Sequence, residues 1–454
     1  MSGAKVGAEQ NDQAQTALGE AARSERWTGV RFPPSPPLSR CVSRVGVHEG
    51  PADLGRGPFV MQEASPGRCD HGQMSAITSV RITQWGVGHG GFHTQSIDVK
   101  GERVHVVYDC GSSDSARRVE DAADEYARSI AGERVERLVL SHFDDDHING
   151  LRYLADAFRK NDVTVGRIVA PLLTPLDRLV LALASEGDRS LRRLILEPEA
   201  VLGEEFGAEI QLVAGNDLGP VNNAPLGSDS DSTGRRVRGR VDGGFDVNED
   251  AGTPSLVWEV VPYVYPAISN ERGRYWSRLC EKLPDLSDVG VPSNADVSMV
   301  LTEHIKVARE TRPNSRKSDW TNFSSITLYS GPTGPSTVGW IHAPRGRPIA
   351  GAIGWLGTGD SRYGQKRTVD AMSNALGLHR LKNVGVVGAP HHGSAKNSSA
   401  HFWSQLPNVM VATFHASGRH GHPTIQAMRQ AADSGAAVVP VNDRSYEQCA
   451  VTLR

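Results

Sequence analysis

The chain has 454 residues, of which 38% are hydrophobic and 22% are charged, with 49 basic and 52 acidic side chains. That length corresponds to two or three domain-sized masses, or to one large domain with insertions. The near-neutral charge excludes a histone-like binder of nucleic acid, so any such binding must come from a local patch.

The sequence also indicates the cellular compartment in which the protein is expected. No apolar run approaches the roughly 18 residues that a membrane-spanning helix needs, and the first residues lack the apolar core of a secretory signal. The five cysteines are scattered and form no C-x-x-C pair, which argues against a disulfide framework or a cysteine-built zinc site. We therefore expect no membrane span and a cytoplasmic location; the oligomeric state stays open.

Residues 1–76 differ in composition from the rest. They mix Gly, Pro, Ser, Arg and Gln, as in RFPPSPPLSR, without helical or strand periodicity, and this composition predicts disorder. Alternatively, the stretch is a non-native extension and Met74 is the natural start.

From Ser75 onward, short β-branched strands alternate with amphipathic helices. Strands are predicted at ITSVRITQW, SIDVK, RVHVVYD, VERLVLS and VGRIVAP, with helices over 115–131 and 148–160. A surface insertion is predicted over 215–255, and 267–320 is polar with helical pieces. The rhythm then resumes with SSITLYS, GWIHAP, AIGWLGTG, DAMSNALGLHRL, NVGVVGAP, NVMVATF and TIQAMRQAADSG. This βαβ order indicates an α/β layer architecture.

The densest chemical signal is SHFDDDHINGL, in which His142, Asp144, Asp146 and His147 form H-x-D-x-D-H on a loop between a predicted buried strand and a helix. Neighbouring carboxylates repel one another, and a divalent cation relieves that repulsion. The alternative is a solvated acidic loop that caps the following helix. For Asp145 alone, capping is the better interpretation.

Three further motifs carry candidate ligands in the last hundred residues: LGTGD ends at Asp360, APHHGS contains His391 and His392, and GRHGHPT contains His420 and His422. Adjacent histidines point in different directions, so only one of the pair is expected to bind a metal directly. Taken singly, Asp360 and the histidines of GRHGHPT could be ordinary turn residues.

The order VGHGG, VVYDCG, SHFDDDHINGL, LGTGD, PHHGS and GHP resembles the metallo-β-lactamase superfamily. More closely, it is similar to the soluble hydrolase domain of the ComEC-type DNA-uptake channel family. The resemblance implies an αββα sandwich over residues 77–454, interrupted by an insertion at about 175–320. It also implies a two-metal site at one edge of the sheets.

The resemblance further implies ligands for two divalent ions, Zn²⁺ or Mn²⁺, from His142, Asp144, Asp146, His147, Asp360, His391 and His392. The first two would hold one ion, the next two the other, and Asp360 would bridge them; His392 is preferred over His391. Asp109 would orient a ligand, and His422 would face the phosphate or the metal. Asp146 would also orient the attacking water or pass a proton to the leaving group.

The chain departs from that family in two places. VGHGG stands where the relatives have VGQGD, so the Asp of that element is absent. The histidine that most members place between the first motif and the bridging Asp has no clear counterpart, because neither His304 nor His342 has the expected context. The site could then hold one ion instead of two.

The expected function is a metal-dependent hydrolase that uses an activated water, most simply a phosphodiesterase or DNA nuclease. The alternatives are hydrolysis of a small ester, lactone or thioester on the same fold, and a non-catalytic binding or effector relative. A basic run in the insertion would contact nucleic acid, unless it is a solvated face balanced by the nearby SDSDS. Its residues are Arg235, Arg236, Arg238 and Arg240.

Overall fold

The computed structural model describes residues 77–99, 102–173, 178, 181–182, 189–213, 238–239, 244–246, 258–265, 325–333, 338–342, 349–416, 421–441 and 450–452. The predicted extension over 1–76, most of the predicted insertion at 215–255 and all of 267–320 lie outside these residues.

The first sheet contains six strands in chain order. They are β1 (Ile77–Gln84), β2 (Phe92–Val99), β3 (Glu102–Cys110), β4 (Arg134–Val139), β5 (Thr164–Pro171) and β6 (Glu209–Val213). Strands β1 to β3 are antiparallel, whereas β3 to β6 run parallel. Helices connect the parallel strands: α1 (Ala116–Ser129), α2 (Asp145–Ile148), α3 (Leu151–Lys160), α4 (Arg189–Leu196) and α5 (Pro198–Phe206).

The second sheet has eight strands in the order β16-β15-β14-β13-β10-β9-β8-β7. They are β7 (Arg238–Gly239), β8 (Gly244–Asp246), β9 (Trp258–Val264), β10 (Ile326–Pro332), β13 (Gly354–Gly357), β14 (Val384–Gly388), β15 (Val411–His415) and β16 (Ala437–Val441). A small third sheet joins β11 (Val338–His342), β12 (Ile349–Ala352) and β17 (Ala450–Thr452). The helices of this half are α6 (Lys366–Lys382), α7 (Ala400–Ser404) and α8 (Ile425–Asp433).

The helices form because their apolar residues recur at helical spacing. In α1 the buried residues are Val119, Ala123, Tyr126 and Ala127, which share one face. Strand β4 lies in the parallel part of its sheet, between helices on one side and the second sheet on the other. Strands buried on both faces are rich in apolar residues, which explains the run RLVL at the end of β4 and just beyond it.

Among the residues that the structure describes, three hydrophobic clusters define the layers. One packs the first sheet against α1, α3, α4 and α5. The second lies between the two sheets and joins residues such as Val106 and Val139 to Leu328 and Val386. The third packs the second sheet against α6, α7 and α8. The order helix, sheet, sheet, helix confirms the predicted αββα sandwich.

Parts of the predicted insertion belong to the sheets. Helices α4 and α5 and strands β6 and β9 all lie within 175–320, and β9 pairs with β10 over its whole length. The guanidinium of Arg380 in α6 also donates to both carboxylate oxygens of the buried Glu259 in β9, at 2.8 and 2.9 Å. The boundaries of the insertion stay a prediction, but its described strands are structural.

No helix among the described residues combines the length and apolar character needed to cross a lipid bilayer.

Candidate metal centre

Three loops meet at one edge of the sandwich, each just after the carboxyl end of a strand. Ser141–His147 follows β4, Asp360 follows β13, and the His391–His392 pair follows β14. Carboxyl ends of parallel strands share one edge of a sheet, which is why β13 and β14 deliver their loops together. The N–H of Ile326 donates to the carbonyl of Ser141 at 2.7 Å, so the first loop is tied to the second sheet.

His142, His147 and Asp360 form the first donor group. Each offers one ligand atom, and these atoms lie within 4.8 Å of one another. The Nε2 atom of His147 is 3.3 Å from Oδ1 of Asp360, and Nε2 of His142 is 3.8 Å from Oδ2. All three side chains are buried. This group joins the loop of the first sheet to a loop of the second.

His89, Asp146 and His392 form the second donor group under the same distance limit. The Nε2 atom of His392 is 3.3 Å from Oδ2 of Asp146 and 3.4 Å from Oδ1 of Asp360. His392 and Asp360 therefore connect the two groups, and the residues on which the two-metal prediction depends lie within a side chain's reach of one another.

The buried polar atoms of this centre fit bound cations. Nε2 of His142, His147 and His392 and Oδ1 of Asp360 are buried and have no hydrogen-bond partner among the described residues. An unsatisfied buried polar group costs about 1–3 kcal/mol, so four at one point need an explanation. Two ligands of one Zn²⁺, each about 2.0–2.2 Å from it, lie about 3.3 Å apart, close to the separations seen here. Imidazole and carboxylate donors suit Zn²⁺ or Mn²⁺.

Asp109 fixes the orientation of His147. Its carboxylate accepts from Nδ1 of His147 at 2.8 Å, and from the N–H and hydroxyl of Ser141 at 2.6 and 2.7 Å. Because Nδ1 donates to Asp109, Nε2 is left to face Asp360, as in carboxylate–histidine–metal arrangements. Burial lowers the pKa of His147, but the charges of Asp146, Asp109 and Asp360 together hold that pKa above its ordinary value.

The pKa of Asp360 is shifted in the opposite direction from that of His147. Burial raises its pKa, but the imidazoles of His391, His392 and His147 hold it well below the ordinary value. Asp360 is thus ionised and able to bind a cation.

Residues 89–222 match the family model of the metallo-β-lactamase superfamily. This region spans the loop after β4 and most of the first sheet. The chain has the metallo-β-lactamase fold. Its closeness to the DNA-uptake branch stays a prediction, and the chain matches no curated protein sequence at a significant level.

Several solved structures are similar to this chain at low identity, among them that of the metallo-β-lactamase fold protein YhfI. YhfI from Bacillus subtilis is 10% identical, with a TM-score of 0.34, covering 80% of this chain and 97% of its own. Zn²⁺-bound PqqB from Methylobacterium extorquens is 9% identical, with a TM-score of 0.34, covering 80% and 98%. A diphosphatase of the PhnP family is 10% identical, with a TM-score of 0.30, covering 82% and 99%.

Within this metallo-β-lactamase fold, the three aspartates of the first motif lie in different environments. Asp146 belongs to the second donor group, with 18% of its side chain exposed. Asp144 lies outside both groups; its Oδ2 is 3.7 Å from Nε2 of His142, and its side chain is 32% exposed. Asp145 is exposed in the first turn of α2 and accepts from Asn149 at 3.3 Å, as expected for a helix-start residue. A metal-binding role for Asp144 stays a prediction.

The two adjacent histidines point apart. Their ring planes are inclined at 71°, and both backbones are left-handed, with φ of 47° and 54°. Non-glycine residues adopt that region at a cost that is found mostly at functional sites. His392 lies within 3.4 Å of both Asp146 and Asp360, whereas Nδ1 of His391 is 3.1 Å from Oδ2 of Asp360 and 3.4 Å from the side-chain amide nitrogen of Asn397. These distances favour His392 as the ligand.

His422 lies at the rim of the centre. Its ring centroid is 5.8 Å from that of His391 and 6.2 Å from that of His89. Its partner in the motif, His420, is outside the described residues. Of the predicted basic run, only Arg238, in β7, is among the described residues. Nucleic-acid binding by that run therefore stays a prediction.

Two histidines near the centre were not predicted from the sequence. His89 lies in VGHGG, which the sequence analysis treats only as a departure from the VGQGD of the relatives. His415 ends β15, and its ring centroid is 5.5 Å from that of His392. Its position after a predicted parallel strand could have identified it. Burial and the neighbouring His392 lower the pKa of His415 well below its ordinary value.

A cavity of about 40 Å³ lies against the centre, lined by residues that include His147, His392, His415, His93 and Trp355. Its volume is sufficient for ordered water. The ring of His93 stacks on Trp355, with centroids 3.7 Å apart and planes inclined at 8°. Trp355 also belongs to the hydrophobic cluster between the two sheets.

Proposed function

We propose that this protein is a metal-dependent hydrolase that cleaves phosphodiesters, and that DNA is the substrate to test first. The observation that carries the proposal is the convergence of two donor groups that His392 and Asp360 connect. Their buried, unsatisfied ligand atoms are arranged for more than one cation.

Two divalent ions held by these residues would supply an activated water and neutralise the charge that develops on the oxygens of an in-line displacement. The protein's own groups then have separate roles. Asp109 holds His147 in one tautomer through the 2.8 Å hydrogen bond. Asp146 is the donor-group carboxylate with an exposed fraction, so it can orient the attacking water or transfer a proton.

The rim of the centre suits an anionic substrate. The ring centroids of His391 and His422 are 5.8 Å apart, and Nδ1 of His391 is 3.1 Å from Oδ2 of Asp360. With its Nδ1–H directed at Asp360, His391 offers a second N–H, at Nε2, to a phosphoryl oxygen only in its imidazolium form. Hydrogen bonds to an ionised acceptor are about twice as strong as those between neutral groups, so this rim favours a phosphodiester over a neutral ester or lactone.

The test is a substrate panel with the full chain under Mn²⁺ and under Zn²⁺. Single-stranded DNA and bis(p-nitrophenyl) phosphate represent phosphodiesters, and a lactone and a thioester represent the alternatives. We expect metal-dependent cleavage of the phosphodiesters, abolished in Asp146→Asn and retained in His401→Ala, whose histidine pairs with the remote Asp370. Preferential turnover of the lactone or thioester would overturn the phosphodiester assignment. Absence of all turnover in a metal-loaded protein would favour a binding or effector role.

A further inference from the structure

We infer that His89, from the glycine-rich loop between β1 and β2, is a metal ligand that completes the second donor group together with Asp146 and His392. The inference deepens the proposed function, because it concerns the same centre. It changes the assignment of ligands: the second cation would be held by three residues from three separate segments of the chain, and His147 would belong with His142 and Asp360.

The position of the His89 ring supports this assignment. Its Nε2 atom is 3.6 Å from Oδ2 of Asp146, and its ring centroid is 4.2 Å from that of His392. A separation of 3.6 Å is too long for a good direct hydrogen bond, but it suits two atoms that bind a common ion. The side chain of His89 is 9% exposed, so its imidazole is nearly removed from bulk water.

The backbone of His89 is fixed on both sides. Its N–H donates to the carboxylate of Asp114 at 2.9 Å, and its carbonyl accepts from the N–H of Ser113 at 2.8 Å. Two residues before His89, the carbonyl of Val87 accepts a hydrogen bond from the hydroxyl of Ser112 at 2.6 Å. Ligands whose backbone is held before the ion arrives lose little conformational freedom on binding. This arrangement is typical of a preformed site.

The two glycines after His89 allow the loop to approach the first motif. The N–H of Gly91 donates to the carbonyl of Asp146 at 3.1 Å. A β-carbon on Gly90 would lie 2.6 Å from that carbonyl oxygen, and one on Gly91 would lie 2.8 Å from Nδ1 of His147. Both distances are too short for real atoms, so only glycine permits the contact. The sequence HGG thus places an imidazole over Asp146 and removes the side chains that would push it away.

The experiment measures metal binding directly, independently of turnover. The full chain, His89→Ala, His89→Asn, His142→Ala and the control His401→Ala are stripped of metal, titrated with Co²⁺ and followed by visible absorption. Bound metal is then quantified by mass spectrometry. Asparagine at position 89 keeps a polar side chain of similar size, and thermal melting verifies that each variant is folded.

We expect two ions per chain in the unaltered protein and in His401→Ala. Each His89 variant should lose one ion or bind it at least about tenfold more weakly, while His142→Ala should affect the other ion. If both folded His89 variants bind two ions with unchanged affinity, the assignment of His89 is wrong and the proposed hydrolase survives. Two bound ions that depend on His89, with no phosphodiester cleavage, would leave the assignment intact and overturn the proposed function.

Discussion

Nδ1 of His147 donates a 2.8 Å hydrogen bond to Asp109, a buried residue at the end of β3 whose backbone φ is 59°. The bond joins two positions 38 residues apart in the chain and decides which nitrogen of His147 faces the candidate cations.

Asp109→Asn should weaken metal binding without unfolding the protein. An asparagine at this position can still accept from the N–H of Ser141, but its NH₂ group would face Nδ1 of His147. That imidazole would then accept at Nδ1 and carry its proton on Nε2, the atom needed for the cation. Loss of such an orienting carboxylate costs about 10–100-fold in metal affinity. Calorimetric titration with Zn²⁺ measures it, with Asp370→Asn as the exposed control; unchanged affinity would show that Asp109 is not a positioning residue.

Removal of divalent metal should lower the thermal stability. Without cations, the unsatisfied atoms of His142, His147, His392 and Asp360 remain buried, and ions that bind only the folded state add about 2.7 kcal/mol at a free concentration of 100 times Kd. We expect a chelator to lower the Tm, added Mn²⁺ or Zn²⁺ to restore it, and Asp360→Ala to reduce the response, because the group of His89, Asp146 and His392 is still present in that variant. A Tm that is indifferent to chelator and to metal would contradict a preformed cation site.

The ion pair between Glu259 and Arg380 should contribute strongly to folding. Glu259 is 3% exposed and its carboxylate is held by two hydrogen bonds from the guanidinium. Removing one partner of a buried pair costs about 3–5 kcal/mol, because the other charge stays buried without compensation. Urea unfolding of Arg380→Ala should show this loss, whereas Arg128→Ala on the exposed side of α1 should change stability by less than about 0.5 kcal/mol. A loss below about 1 kcal/mol in Arg380→Ala would mean that β9 is not anchored to α6.

His105 should make the fold sensitive to mild acid. Burial lowers its pKa below the ordinary 6.5, although its partner Glu133 opposes the shift and Arg103 adds to it. At a pH below 6.5 the unfolded chain therefore binds a proton at His105 more readily than the folded chain does. The folded state keeps its full stability above pH 6.5 and loses stability as the pH falls below that value. Each unit of depression contributes about 1.4 kcal/mol.

The contribution of His105 is measured by comparing the unaltered protein with His105→Gln. The metal-site groups titrate in both proteins, so their contribution to the pH dependence cancels in the difference. Between about pH 7.5 and about pH 5.5, the unaltered protein should lose more free energy of unfolding than the variant. An equal loss in both would remove His105 as a source of acid sensitivity.

Alternation and helical periodicity predicted most of the fold. The spacing of Val119, Ala123 and Tyr126 gave α1 nearly to its ends, and the apolar runs gave β4, β14 and β15. Strand β9 falls within the insertion that the family resemblance implies at about 175–320. Pairing partners depend on contacts far apart in the chain, and nothing local in LVWEVVPYVY shows that Glu259 will meet Arg380.

The candidate site, like the fold, was predictable only where the signal is local in the sequence. A motif such as H-x-D-x-D-H concentrates donors within a few residues, so His142, Asp146 and His147 could be identified from spacing. His89 stands alone among glycines, and only the packing of its loop on the carbonyl of Asp146 shows where its ring lies. The preference for His392 over His391 came from the family resemblance, and the distances from His392 to both Asp146 and Asp360 support it.

The most direct test of the account is anomalous diffraction from crystals of the full chain soaked in Mn²⁺, recorded near the manganese absorption edge. We expect two peaks, one among His142, His147 and Asp360 and the other among His89, Asp146 and His392. Ordered side chains with no anomalous peak at either group would contradict the claim that these residues assemble to hold catalytic cations.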